Sequence, residues 1–197
     1  RVIGVSKTVG LDAVAEAIEA GIHDFGENRP DELVRKHDTF PSENWHFIGN
    51  IQSRQLDKVV GRACLIHSLY QESHADKIDR LAAAAGIVQD VLIEVNEQGV
   101  ADENLIDMLT HCAALEHMRV KGLMIMAPIG DASVTRATFK RLRELRDAAQ
   151  SDLAARGIDM ELHELSMGMS NDYSEGIGEG ATMVRIGRAI FSADYAG

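Results

Sequence analysis

Short apolar segments of β type alternate with longer segments of helical periodicity along the whole sequence, and this alternation constrains the fold more than any other feature. Eight segments predict strands: residues 2–5, 22–25, 45–48, 65–67, 91–95, 120–125, 162–165 and 183–186. Six longer segments predict helices: residues 11–20, 30–37, 53–60, 73–85, 102–112 and 133–156. Neither a linker nor a low-complexity segment divides the pattern, so residues 1–197 are expected to form a single domain.

The order of these segments is typical of a parallel sheet. Residues 11–20 carry apolar side chains at helical spacing, Gly21 follows as a stop, and the next apolar segment begins at once. The VLIEV segment at residues 91–95 is too continuously apolar for a strand with one face in water, whereas strands of parallel sheets are buried on both faces. Eight such units favour a closed (β/α)₈ TIM barrel, although an open doubly wound sheet also alternates strands and helices.

Charge and cysteine usage exclude several classes of protein. The chain has 20 Lys and Arg against 31 Asp and Glu, a formal charge of −11 that would repel nucleic acid phosphates. Cys64 and Cys112 are too few for a disulfide framework, and the eight histidines never cluster at metal-ligand spacing, so no metal site is expected. No apolar segment approaches the roughly 20 residues of a membrane span. We therefore expect a cytoplasmic protein with neither a nucleic acid nor a membrane as partner.

Lys7 directly follows the first predicted strand, and it is the sharpest candidate for chemistry. Reactive groups of a TIM barrel gather where the strands end and the following loops begin. Partial desolvation at the barrel mouth would favour the neutral amine of Lys7, which can form a Schiff base with a carbonyl group. The alternative is a solvated lysine that merely ends a strand.

The seventh and eighth predicted strands end in small-residue turns, LSMGMS and RIGR. Gly168, Ser170 and Gly187 would place backbone N–H groups and a hydroxyl where an anion could bind. In TIM barrels a phosphate site often forms from the loops after these two strands. The sequence thus indicates a phosphate site, unless the glycines only permit tight turns.

Arg185 precedes Gly187 by two residues and should lie on the same side of the strand. A guanidinium fixed at the barrel mouth could bind a ring nitrogen or a carboxylate, and it would not give up its proton. The alternative is a structural ion pair with Glu94 or Glu164.

Six motifs together resemble the pyridoxal phosphate homeostasis proteins. They are VSKT, FGENR, WHFIGNIQ, GLMIMAP, LSMGMSND and MVRIGRAIF, and they cover nearly the whole chain in order. The resemblance implies a single barrel similar to the N-terminal domain of alanine racemase, with pyridoxal 5′-phosphate bound through a lysine. It also implies an N-terminal helix that would precede Arg1.

The resemblance assigns roles residue by residue. Lys7 of VSKT matches the lysine that binds the cofactor, Arg185 matches the arginine that faces the pyridine nitrogen, and Asn28 of FGENR lines the same mouth. Four residues fall where the family holds the phosphate: Ser166, Ser170, Gly187 and Arg188. The sequence departs at Arg188, where the family commonly has Thr or Ser, so a hydroxyl contact is lost and a cationic one could replace it.

Three functions remain open at this point. The first is a non-catalytic, monomeric carrier that regulates free pyridoxal phosphate and supplies enzymes that depend on it. The second is an amino-acid racemase with Lys7 as a catalytic group, although Tyr70, Tyr173 and Tyr195 do not match the second, tyrosine, acid–base group of alanine racemases. The third is a TIM-barrel enzyme for a phosphorylated metabolite, with Lys7 as an electrostatic clamp.

Overall fold

The computed structural model describes residues 1–96, 99–128 and 131–195, and its strands form one closed parallel barrel. The strands are β1 Val2–Val5, β2 Asp24–Glu27, β3 Asn44–Phe47, β4 Leu65–Leu69, β5 Gln89–Glu94, β6 Met118–Met124, β7 Glu164–Met169 and β8 Met183–Ile186. The α-helices are α1 Leu11–Glu19, α2 Pro30–Thr39, α3 Leu56–Val59, α4 Glu72–Ala85, α5 Leu105–Ala113, α6 Ala132–Ala155, α7 Tyr173–Gly178 and α8 Arg188–Phe191. The predicted (β/α)₈ TIM barrel is confirmed.

Each strand pairs in parallel with the next strand of the chain, and β8 pairs with β1, where Ile3 lies opposite Arg185. All eight carboxyl ends therefore meet at one end of the barrel. Segments that are far apart in sequence, such as those after β1 and β8, become neighbours there.

Side chains alternate between the barrel interior and the layer beneath the helices. The outer layer holds most of the apolar core, including Phe25 stacked on Trp45 with 5.2 Å between ring centroids. A smaller apolar cluster packs inside the barrel: Ile3, Leu65, Leu92, Met124 and Met183. The interior also contains polar side chains that belong to the site described below.

Strand β2 shows where apolar periodicity misplaced an element. It begins at Asp24 rather than at residue 22 and extends through Glu27. The N–H of Ile22 donates to the carbonyl of Ala17 at 2.9 Å, so Ile22 closes the end of α1 instead of opening the strand.

None of the helices in the described ranges is both long and apolar enough to cross a membrane.

Candidate functional site

A cavity of about 710 Å³ opens at the carboxyl ends of the strands. Six of the seven residues that the sequence singled out line it: Lys7, Asn28, Ser170, Arg185, Gly187 and Arg188. The seventh, Ser166, is fully buried and lies outside this lining. The fold thus brings residues from both ends of the sequence to one cavity.

Lys7 extends from a firmly held segment. The preceding Ser6 is buried; its N–H donates to Gly26 at 3.1 Å, and its carbonyl accepts from the Lys36 ammonium at 2.6 Å. Lys7 itself is exposed, and its ammonium bonds to none of the described residues. The partial desolvation expected for Lys7 is therefore absent from this structure, although the residue lines the cavity.

Glu27 and Lys36 form a fully buried ion pair beneath this segment. Lys36 Nζ lies 2.6 Å from Glu27 Oε1, which also accepts from the Ser6 hydroxyl at 2.6 Å. Sequence reasoning missed this pair, although a signal was present. Lys36 lies three residues after the buried Leu33, on the face of α2 that packs against the sheet.

The turn after β7 and the turn after β8 meet at Ser170. Its hydroxyl oxygen accepts from the N–H groups of Gly187 and Ala189 at 3.3 and 3.5 Å. A hydroxyl and two backbone N–H groups thus converge at the edge of the cavity, where they can bind an anion.

The tight-turn explanation fits Gly168 but not Gly187. Gly168 has a φ of +97°, and a Cβ there would approach Tyr173 Cα to 3.0 Å, so this turn needs glycine. Gly187 has a φ of −106°, and an added Cβ would make only ordinary contacts, with Val5 O at 3.4 Å. The packing of the described residues therefore does not require glycine at position 187.

Arg188 points away from the barrel interior. Its Nη2 donates to Asn171 Oδ1 at 2.7 Å, and its guanidinium lies 5.9 Å from the ring centroid of Tyr195. The Tyr195 hydroxyl in turn donates to the carbonyl of Ser170 at 2.5 Å. Tyr195 was not among the predicted site residues, because no motif surrounds it and only the closed fold brings the end of the chain to Ser170.

Arg185 is buried at the base of the cavity with 4% of its surface exposed. Its Nη1 donates to Ser166 Oγ at 2.6 Å and its Nη2 to the carbonyl of Ile125 at 3.0 Å. Burial lowers the pKa of Arg185 to about 10, so the guanidinium is still protonated at neutral pH. Among the described residues no carboxylate forms an ion pair with Arg185, which removes Glu94 and Glu164 as partners.

Ser166 lies beneath the cavity, and its side chain contacts the cavity lining through Arg185. Besides accepting from Arg185, its hydroxyl lies 2.9 Å from Nδ1 of His67, which is fully buried. Ser166 is therefore placed to hold Arg185 rather than to reach an anion beside Ser170. His67 ends the predicted strand at residues 65–67, but the sequence assigned it no role, because its partner Ser166 lies 99 residues away along the chain.

The cavity as a whole presents an amine, a protonated guanidinium and an anion-binding turn. Asn28 adds a buried Oδ1 that has no hydrogen-bond partner in the described part of the chain. Such a set suits a ligand that carries a carbonyl group, an anionic group and a polar ring between them.

Comparisons with known proteins agree on one family. The family model for the alanine racemase N-terminal domain matches residues 1–194. The pyridoxal phosphate homeostasis protein of Aquifex aeolicus is 39% identical over 200 residues, covering 97% of this chain and 86% of that protein. The protein of the same name from a Synechocystis strain is 36% identical over 201 residues, covering 97% of this chain and 90% of that protein.

Solved structures show the same likeness. PipY of Synechococcus elongatus, in a structure with PLP bound, superposes with a TM-score of 0.91 at 33% identity, covering 98% of this chain and 92% of that one. Alanine racemase of Clostridium difficile gives a TM-score of 0.76 at 14% identity, covering 100% of this chain and 56% of that one, which shows a shared fold alone.

Proposed function

The chain belongs to the pyridoxal phosphate homeostasis protein family, and on that premise we propose that it holds pyridoxal 5′-phosphate as a Schiff base on Lys7 and acts as a non-catalytic carrier of the cofactor. One observation carries the proposal: Lys7, Arg185 and the Ser170–Gly187 turn line the same cavity. When bound, the cofactor would supply an aldehyde, which reacts with a primary amine. The carrier would regulate the free level of the cofactor inside the cell.

The residues present fit this cofactor. The Ser170 hydroxyl can donate to a phosphate, and the N–H groups of Gly187 and Ala189 can exchange their long hydrogen bonds with Ser170 Oγ for shorter ones to a phosphate oxygen. A Cβ added at Gly187 would lie beside Val5, which also lines the cavity, so a side chain there would narrow the approach of the phosphate to the backbone. Asn28 Oδ1, which has no partner in the described residues, can accept a hydrogen bond from a ring substituent.

Arg185 favours binding over catalysis. A guanidinium has five N–H donors and no acceptor. In Arg185, one N–H of Nη1 donates to Ser166 and one N–H of Nη2 donates to Ile125, and the remaining N–H donors have no acceptor among the described residues. A ring nitrogen facing these donors would accept a hydrogen bond and stay unprotonated, which weakens the ring as an electron sink.

A racemase would need a second proton-transferring group opposite Lys7. None of the three tyrosines lines the described cavity, and the Tyr195 hydroxyl already donates to Ser170. This arrangement supports a carrier, in which Lys7 is a binding residue rather than a catalytic one. The charge of −11 opposes self-association and repels phosphate-rich surfaces, which supports a monomer with neither nucleic acid nor membrane as partner. The free thiols of Cys64 and Cys112 suit the cytoplasm, and the recipients in this proposal are enzymes that depend on pyridoxal phosphate.

The first experiment adds pyridoxal phosphate to the purified protein and follows visible absorption. A yellow band is expected, and borohydride reduction followed by peptide mass mapping should locate the cofactor on Lys7. Lys7→Ala should abolish the band, because Lys7 is the only lysine among the described residues that line the cavity. Lys140→Ala removes an exposed lysine of α6 and should retain the band.

Two outcomes of this experiment would count against the proposal. A protein that stays colourless would instead support the enzyme for a phosphorylated metabolite. Sustained racemisation of an amino acid panel that requires Lys7 would replace the carrier with the racemase.

Alanine substitutions at two glycines should separate folding from phosphate binding. Gly168→Ala is expected to lower the free energy of unfolding by about 1–3 kcal/mol, because its positive φ strains any other residue. Gly187→Ala should change stability by less than about 0.5 kcal/mol yet weaken pyridoxal phosphate binding about tenfold, since a methyl group would occupy the phosphate approach. Urea unfolding and absorption titration measure the two effects. Equal cofactor affinity in Gly187→Ala and the unaltered protein would contradict this phosphate site.

A further inference from the structure

A line of buried polar side chains crosses the barrel interior and ends on Arg185. From the cavity inward, Ser166 Oγ lies 2.9 Å from His67 Nδ1, His67 Nε2 lies 3.0 Å from His46 Nδ1, and His46 Nε2 lies 3.1 Å from Asp24 Oδ1. Ser166 and both histidines are fully buried, and Asp24 lies at the amino end of β2. We call these four residues the buried polar chain.

One set of donor directions satisfies the chain when both histidines are neutral and Asp24 is ionised. Arg185 can only donate, so Ser166 Oγ accepts from it and passes its own hydrogen to His67 Nδ1. His67 then carries its proton on Nε2 and donates to His46 Nδ1. His46 donates from Nε2 to the Asp24 carboxylate. Every hydrogen bond therefore points from the guanidinium toward the carboxylate.

Building on the proposed function, we propose that Ser166, His67 and His46, anchored on Asp24, are positioning residues that fix the guanidinium of Arg185 against the ring of the cofactor. The geometry leaves Arg185 few other supports. Its remaining hydrogen bond in the described residues is to the carbonyl of Ile125, which directly follows β6, two strands away from β8. Without the chain, the guanidinium could rotate about this single hydrogen bond.

Burial lowers the pKa of Arg185, and the nearby carboxylates of Asp172 and Glu94 oppose this effect without forming an ion pair in the described residues. The buried polar chain adds a weaker electrostatic contribution. Aligned hydrogen bonds polarise one another, so the negative charge of Asp24 is felt along the chain. Burial alone would raise the pKa of Asp24, but its hydrogen bond with His46 and nearby positive charges lower it below the ordinary value. Burial also lowers the pKa of His67 well below the ordinary histidine value, which keeps this link neutral.

The first test uses the protein without cofactor, so it is independent of the proposed function. Proton–nitrogen correlation spectra of the histidine rings at neutral pH should show His46 and His67 neutral, with the proton on Nε2 in both. Ser166→Ala should shift the His67 Nδ1 resonance, because it loses its donor. The matched control, Ser68→Ala, removes a buried hydroxyl that donates instead to the carbonyl of Gly49 and should leave both rings unchanged. A proton on His67 Nδ1, or spectra that Ser166→Ala leaves unaltered, would overturn the chain.

The second test measures the affinity for pyridoxal phosphate and the absorption maximum of the bound cofactor. Ser166→Ala should retain covalent attachment through Lys7 but weaken binding about tenfold, the equivalent of one hydrogen bond to a charged group, and shift the absorption maximum. Ser68→Ala should change affinity less than about twofold and leave the maximum in place. The double variant Ser166→Ala/His67→Leu should shift the absorption maximum no further than Ser166→Ala. The single substitution already disconnects Arg185 from the buried polar chain, so a second break in the same chain has no further effect. If the unaltered protein binds no cofactor, the proposed function fails and the positioning role toward the ring with it; if it binds and the serine variants behave alike, the positioning role alone fails.

Discussion

Lys36→Met is expected to lower the free energy of unfolding by about 3–5 kcal/mol, because it leaves the buried carboxylate of Glu27 without its partner. Lys36 and Glu27 are both 0% exposed, and in the described part of the chain their 2.6 Å contact is the only ion pair of this carboxylate. The second carboxylate oxygen, Oε2, has no partner in the described residues. Methionine keeps the length of the stem but removes the charge and the donor to the Ser6 carbonyl. Urea unfolding of the cofactor-free protein measures the loss.

Two comparisons isolate burial as the cause. Lys58→Met breaks an exposed ion pair with Asp31 of similar length, 2.7 Å, and should cost less than about 1 kcal/mol. The double variant Lys36→Met/Glu27→Gln removes the uncompensated charge and should recover part of the loss, although each single variant is destabilised. Equal losses in Lys36→Met and Lys58→Met would show that the buried pair contributes little.

The ion pair also bears on the site. The Lys36 ammonium and the Ser6 hydroxyl fix the residue that precedes Lys7. An exposed lysine has many rotamers, so a rigid attachment point reduces the freedom it loses on binding a ligand. In Lys36→Met, pyridoxal phosphate binding should therefore weaken even at temperatures where the protein remains folded.

Apolar periodicity predicted the barrel because its strands must be buried on both faces. The bounds of β1 and β8 match the prediction, since both strands are short apolar segments. Prediction was poorer where the interior is polar. Strand β4 continues beyond residue 67 through Ser68 to Leu69, and β7 includes Ser166 and Gly168, none of which an apolar pattern assigns to a strand. Helix α8 has only four residues, too few to show a period.

The site was predictable to the extent that it follows the ends of strands. Lys7 and Gly187 follow β1 and β8, Arg185 is the last residue but one of β8, and all three line one cavity. Lys36 and His67 could not be assigned in the same way, since each acts through a partner that only the closed barrel brings near. Residues that hold a site leave a weaker local pattern than residues that form it.

Acidification below pH 6.5 is expected to destabilise the cofactor-free protein through His67. Burial, together with the positive charge of Arg185 nearby, lowers the pKa of His67 well below its ordinary value in the folded state. In the unfolded chain the same histidine takes up a proton near pH 6.5. Below that pH the unfolded state therefore binds one proton more than the folded state. The free energy of unfolding should fall by about 1.4 kcal/mol per pH unit, or about 2 kcal/mol between pH 6.5 and 5, while above pH 6.5 this contribution is fully present.

His67→Gln removes the titrating ring and keeps one donor and one acceptor in the buried polar chain. The slope of the free energy of unfolding against pH between 6.5 and 5 should therefore fall by about 1.4 kcal/mol per pH unit. A smaller slope should remain, because burial also lowers the pKa of His74. Ser68→Ala is the matched control: it loses a buried hydrogen bond but no ionisable group, and its slope should equal that of the unaltered protein. The measurement is urea unfolding at a series of pH values above 4.5, which avoids the range in which Asp24 begins to titrate. Burial opposes the ionised form of Asp24, but its hydrogen bond with His46 lowers the pKa below the ordinary value. Parallel profiles for His67→Gln and the unaltered protein would mean that His67 can take up a proton inside the barrel, and the donor order from Arg185 to Asp24 would then be lost at mildly acidic pH.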